Sequence, residues 1–495
     1  MKLKIYILFL CSLFLYSCYE DKGNYAYASI DEVDISFDLA SYSVPIGEDI
    51  EIKPTLMFKN PADSVNFSYE WRIGGEPYST ERNLKYTGEV LGTNFVMFSV
   101  INNRTKVRTI QEIIVQVSSP YNIAFAPSWF VLSNDGGKSV LHMITSKYVD
   151  GEYQYVDRRD IYNNHGEELG SDPVKLVYHA PSGSYELLVI QRGGQKSVEL
   201  DVNSMSRVIR NDEEFFNEQP PVGFVPKDAY YGMYADVLLG EDGNLYSRAI
   251  ANYGQLHQDP FNNNPMLLDP TKDSWIGQIV STPAFANEVL LYDELNNRLL
   301  CLGTDFRSGG DVQEMPTVSY PAAYTPLNDM GNKELVHLSV GEPMMNFNMI
   351  VKNPDDGKYY FQRFMLMYMA YNNTFMLIVG QNHKELKCSS YFTSQTQMAI
   401  FRTGKYIFFS GGASNNQLYR YDTSTDITVL VKEFEDQSIQ LLRLPNVMQD
   451  ESTLGVVFTN GDVVSLNMSS ANINANIYEE LFRYNFGKVV DVVAK

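Results

Sequence analysis

Gly136-Gly137-Lys138-Ser139 has the residue types of a phosphate cradle. The full pattern needs a further glycine at position 132, where Leu132 stands. No helical pattern follows Ser139, so the anion-binding helix N-terminus is missing. A hairpin turn accounts for the glycines. The six histidines are His142, His165, His179, His257, His337 and His383, and no two lie three or four residues apart. A His-Glu-x-x-His pair and paired cysteines are both absent, so neither a metal nor another cofactor is expected. Asp355-Asp356-Gly357 and Glu241-Asp242-Gly243 lack the spacing of a calcium loop and read as turns. The Gly-x-Ser-x-Gly elbow of serine hydrolases is absent as well. Paired carboxylates for glycoside hydrolysis must face each other across roughly 5 to 10 Å. Among 60 acidic residues, sequence singles out no such pair. The expectation is therefore a protein without catalytic residues.

Aromatic clusters are the remaining side chains suited to a ligand. Tyr153 and Tyr155, then Tyr230, Tyr231 and Tyr234, then Tyr368 and Tyr371 form three groups. A tyrosine ring stacks on sugars or peptides while its hydroxyl finds a polar partner. The same residues also fit the packed faces of strands, as do Trp129 and Trp275.

Cys18 offers a different chemistry. Lys2 and Lys4 precede an apolar run from Ile5 to Leu15, and the small Ser17 stands just before the cysteine. That order is a secretory signal over residues 1–17. Leu15-Tyr16-Ser17-Cys18 looks like a bacterial lipobox, in which the peptide is cut before the cysteine and the thiol takes a diacylglycerol. The apolar run is too short to span a bilayer. One acyl chain binds a membrane only marginally, whereas two or more hold it stably. Cys11 leaves with the signal, so only Cys301 and Cys388 remain. An exported protein can join them, though one pair is no disulfide framework.

Composition narrows the partners. A formal net charge of -21 excludes the basic footprint that nucleic acid requires. With 34 Tyr and 27 Phe, the chain is rich in strand formers.

The elements that hold these residues read as β throughout. Residues 18–28 form a short polar tether. Residues 29–118 contain alternating segments: Val33, Ile35 and Phe37; Ile50–Pro54; Tyr69–Ile73; Phe95–Ile101; Thr109–Val117. Trp71 lies on a middle strand, the place of the core plug in an immunoglobulin-type β-sandwich. Beyond Ser118-Ser119-Pro120, hairpins with Asp-, Asn- and Gly-rich turns recur through residues 119–495. Their length divided by a blade of about 40 to 50 residues predicts a β-propeller of about seven blades. Ile477–Tyr484 is expected as a short helix. Lys488–Val493 is expected as a last strand that completes the blade begun near Trp129.

Three stretches carry a family resemblance. Cys18-Tyr-Glu-Asp-Lys-Gly-Asn-Tyr25, Tyr69-Glu-Trp-Arg-Ile73, and Ser128–Ser133 with Gly137–Leu141 resemble the PKD-like family lipoproteins of Bacteroidetes. The resemblance implies an outer-membrane lipoprotein facing the cell exterior. Its implied neighbours are a TonB-dependent barrel and the barrel's lid lipoprotein, as in starch-utilisation-type importers. It implies an oligopeptide or glycan as ligand and brings no catalytic residues. A surface hydrolase with its site in the propeller funnel, or a purely structural subunit, stays open at this point.

Overall fold

The computed structural model describes residues 33–59, 61–119, 128–149, 152–162, 166–181, 185–251, 256–281, 288–305, 310–343, 345–445 and 452–494. The signal segment, Cys18 and the tether lie outside them, as does His165. The chain divides into two compact units, Met1–Ser118 and Ser119–Lys495.

The first unit is a β-sandwich. Its larger sheet joins Ser41–Pro45, Arg108–Ser118, Gly92–Asn102, Phe67–Ile73 and Glu76–Ser79 in that spatial order. Ser41–Pro45 runs parallel to Arg108–Ser118, and the other neighbours in the sheet are antiparallel. Two short ladders, Val33–Ser36 with Thr55–Phe58 and Asp49–Ile52 with Leu84–Thr87, supply the facing layer. Strict alternation places Trp71 inward with Val96, Phe98, Val100, Ile113 and Val115, all buried. Its indole lies 4.3 Å from the Phe98 ring and donates a hydrogen bond to the Glu81 carbonyl at 2.9 Å. The buried ring thus fills the core and satisfies its one polar atom.

The second unit is a seven-bladed β-propeller. Blade 2 is Ser171–His179, Glu186–Gly193, Val198–Asp201 and Arg207–Arg210. Blade 3 shows three strands among the described residues: Pro226–Tyr231, Ala235–Gly240 and Leu245–Ala249. Blade 4 is Ile276–Ser281, Glu288–Asp293, Arg298–Gly303 and Val312–Glu314. Blade 5 is Glu334–Val340, Asn346–Asn353, Lys358–Met369 and Thr374–Glu385. Blade 6 is Met398–Ile400, Tyr406–Gly411, Gln417–Asp422 and Ile427–Glu433. Blade 7 is Ile439–Arg443, Thr453–Phe458, Asp462–Asn467 and Glu480–Asn485.

Blade 1 closes the ring. Ser128–Asp135, Lys138–Val149 and Glu152–Arg158 come from the start of the unit, and Lys488–Ala494 comes from its end. The last strand pairs antiparallel with Ser128–Asp135, setting Trp129 opposite Ala494 and Val131 opposite Val492. The hairpin turn of this blade is Gly136-Gly137, with φ of 58° and 99°. Such positive φ at both central residues is what a tight type I′ turn demands, and it leaves no phosphate cradle at Lys138.

The structure corrects the expected helix. Residues 480–485 are the outer strand of blade 7, with Phe482 buried and Tyr484 stacked beside it. Pairing with Asp462–Asn467 overrides the local helical spacing. The one α-helix among the described residues lies just before it, Ser470–Ala475. Ser469 caps its start, and Asn476, at φ 56°, ends it. Cys301 and Cys388 are both buried free thiols, and burial pushes Cys388 up to about 12. No helix among the described residues is long and apolar enough to cross a membrane.

Candidate functional site

The inner strands of six blades surround a cavity of about 470 Å³ on the propeller axis. Each contributes a polar residue: Lys175, Asp228, Gln278, Ser339, Arg443 and Asp491 from blades 2, 3, 4, 5, 7 and 1. Lys175 Nζ pairs with Asp228 Oδ2 at 2.6 Å, and Arg443 Nη2 with Asp491 Oδ1 at 2.9 Å. In each pair the carboxylate is the more deeply buried partner, and the cation keeps nearly two-fifths of its side chain exposed. The other oxygen of Asp491 accepts the Leu176 backbone N–H at 3.0 Å, tying blade 1 to blade 2. His337 is two residues from Ser339 on the same inner strand. Burial first and Arg443 second push it down to about 4, so it is neutral at physiological pH. The cavity wall therefore holds balanced charge with fixed donors and acceptors. Its volume is in the range of pockets that hold small ligands.

The tyrosines singled out above do not converge. Tyr230 and Tyr231 are buried in blade 3 and Tyr368 in blade 5, where they fill cores. The Tyr230 hydroxyl meets Thr304 Oγ1 at 3.3 Å, and Tyr368 donates to Asn373 Oδ1 at 2.7 Å. Tyr155 is half-buried against Phe482, and Tyr234 is half-buried in a blade 3 turn. Tyr153 and Tyr371 are exposed, on blade 1 and blade 5. Trp129 is core, and Trp275 is part-exposed.

Two arrangements were not visible as spacings in the sequence. The first is Ser133 Oγ 2.8 Å from His142 Nε2, a serine–histidine pair. The Asp160 backbone N–H donates to Nδ1 at 3.3 Å. The proton then sits on Nε2 and is donated to the serine, the reverse of what general-base activation requires. Both residues are buried. The geometry describes a packed pair rather than a nucleophile.

The second is a buried polar cluster at the junction of blades 2 and 3. His257 Nδ1 lies 2.6 Å from Glu214 and Nε2 lies 2.6 Å from Glu186. Both ring nitrogens donate to carboxylates, so the ring is an imidazolium. Burial opposes that charge, but the two carboxylates raise His257 to about 10. Arg248 bridges Glu214 and Asp236, each at 2.7 Å. Burial pushes Glu214 up, and Arg248, His257 and Asn211 outweigh it and hold it low. His179 and Glu199 complete the cluster, 3.0 Å apart, with the His179 ring stacked on Tyr231 at 3.9 Å. A usable signal did exist, since His179 and Glu186 flank one hairpin turn and face each other across it.

The family match runs across the boundary between the two units. The PKD-like family model matches residues 18–173. That span takes in the sandwich and the opening strands of the propeller. No curated protein matches the sequence significantly. Among solved structures, a quinonprotein alcohol dehydrogenase-like protein from Bacteroides thetaiotaomicron aligns at 12% identity and TM-score 0.39, covering 92% of this chain and 96% of that one. The Swd1 β-propeller domain of Myceliophteria thermophila aligns at 12% identity and TM-score 0.39, covering 66% and 96%.

Proposed function

We propose that this chain is a non-catalytic lipoprotein of the outer cell surface, an accessory of a TonB-dependent nutrient importer. Cys18 carries the lipid, and the propeller binds or hands over oligopeptide or glycan. The observation that carries the anchor is a coincidence of position. The family match begins at residue 18, the residue that the signal reading makes the first of the mature chain. The axial cavity carries the binding role. Its paired charges and polar groups suit a neutral or zwitterionic oligomer, and the inner strands of a closed ring hold them in place.

The test is equilibrium binding of glycan and peptide libraries to the full chain and to Gln278→Trp, which fills the cavity from an inner strand. Saturable binding that is lost in the variant is expected. Absence of any ligand would leave the structural-subunit reading. Turnover of a library member, abolished by removing a cavity carboxylate, would establish the hydrolase instead. Recovery from mild detergent together with a TonB-dependent barrel tests the importer link, and recovery alone counts against it.

A further inference from the structure

The cluster between blades 2 and 3 carries an imbalance that its hydrogen bonds do not resolve. Glu186, Glu199, Glu214 and Asp236 are four carboxylates with side chains at most 8% exposed. Arg248 and the His257 imidazolium are the two cations paired with them. Buried charge must be paired, and here the negative side is in excess.

Three of these groups share one sheet face. His179 on Ser171–His179 stands opposite Glu186 on Glu186–Gly193, and Glu199 lies diagonally on the next strand, Val198–Asp201. Side chains two apart on a strand point the same way, so all three project toward blade 3 together with Leu188. One ligand atom from each lies within 4.8 Å of the others. His179 Nδ1 and Glu199 Oε1 have no hydrogen-bond partner, although their side chains are only 4% and 0% exposed. The Tyr231 ring stacks on His179, and its buried hydroxyl lies beside Glu199.

We propose that His179, Glu186 and Glu199 form a structural site for a divalent transition-metal cation, with zinc the best match. Imidazole together with carboxylate selects zinc over calcium or magnesium, which prefer oxygen alone. Bonds of about 2.0 to 2.2 Å require the donors to draw together by roughly an ångström from their present spread. A dication offsets the excess carboxylate charge and takes the place of the hydrogen bond between His179 Nε2 and Glu199. Because the cluster is closed to solvent, the ion enters during folding and ties together three strands of blade 2 at the face packed on blade 3. The site is separate from the axial cavity and does not depend on its ligand.

Elemental analysis of the full chain tests this. The protein is unfolded in guanidinium with chelator, refolded with or without zinc, and passed through gel filtration. Stoichiometric zinc that survives chelator wash is expected, with a higher unfolding temperature than the zinc-free preparation. His179→Gln and Glu199→Gln should lose the metal, while His337→Gln keeps it. If the variants fail to fold, anomalous scattering at the zinc edge from wild-type crystals locates the ion without them. Wild-type protein without zinc above background, zinc retained by a folded double variant, or an anomalous peak elsewhere would each overturn the proposal.

Discussion

His142 is held neutral by its surroundings. Burial first, then the nearby Arg159 guanidinium, lowers its pKa from the usual 6.5 to about 4. The ring packs 4.9 Å from Phe486 and donates to Ser133. A histidine with a depressed native pKa contributes its full stability above the unfolded value of about 6.5. That contribution is lost as pH falls from 6.5 toward 4, because the unfolded chain binds the proton and the native ring does not. The loss amounts to at most about 3 kcal/mol. Urea unfolding at a series of pH values should show a shallower decline between pH 6.5 and 4 for His142→Gln than for wild type. Equal slopes would mean that the ring is accessible to protons.

Residue chemistry was legible only where it is local. Gly136-Gly137 announces a turn by itself, and Trp71 announces a core by its alternating neighbours. His179, Glu186 and Glu199 are joined by strand pairing, so helix-type ligand spacings overlook them. The tyrosines carried too little information, since a ring that stacks on sugar packs equally well in a blade. Tyr230, Tyr231 and Tyr368 took the packing role.

At the level of elements, hairpins were the readable units. Leu239 and Leu245 face each other across the Asp242-Gly243 turn, as do Tyr406 and Asp422 at the two ends of their strands. The misread element, Glu480–Asn485, shows why local pattern fails: its partner strand lies elsewhere in the sequence and dictates its conformation. Ring closure also depends on a distant pairing. Trp129, Val457, Phe482 and Val492 form one core from the two ends of the propeller. Gly455 lets that core close, since a Cβ there would sit 2.5 Å from Trp129 Cζ3. Gly455→Val should therefore destabilise the propeller by about 1–3 kcal/mol through overpacking. Denaturant unfolding monitored by tryptophan fluorescence checks this. An unchanged midpoint would show that blades 1 and 7 tolerate separation.

At the scale of the whole molecule, the fold class follows from composition and repeat length, whereas function rests on very few residues. A net charge of -21 disfavours contact with nucleic acid and anionic lipid surfaces, so the membrane attachment proposed above would rest on the lipid carried by Cys18. The proposed lipid anchor, and with it the proposed place beside an importer, rests on the fate of Cys18. The direct measurement is the mass of the N-terminal peptide from protein extracted out of the outer-membrane fraction. The account predicts a mature chain beginning at Cys18, with its thiol and amine carrying acyl groups. A chain that begins elsewhere, or an unmodified Cys18 in membrane-bound protein, would contradict it.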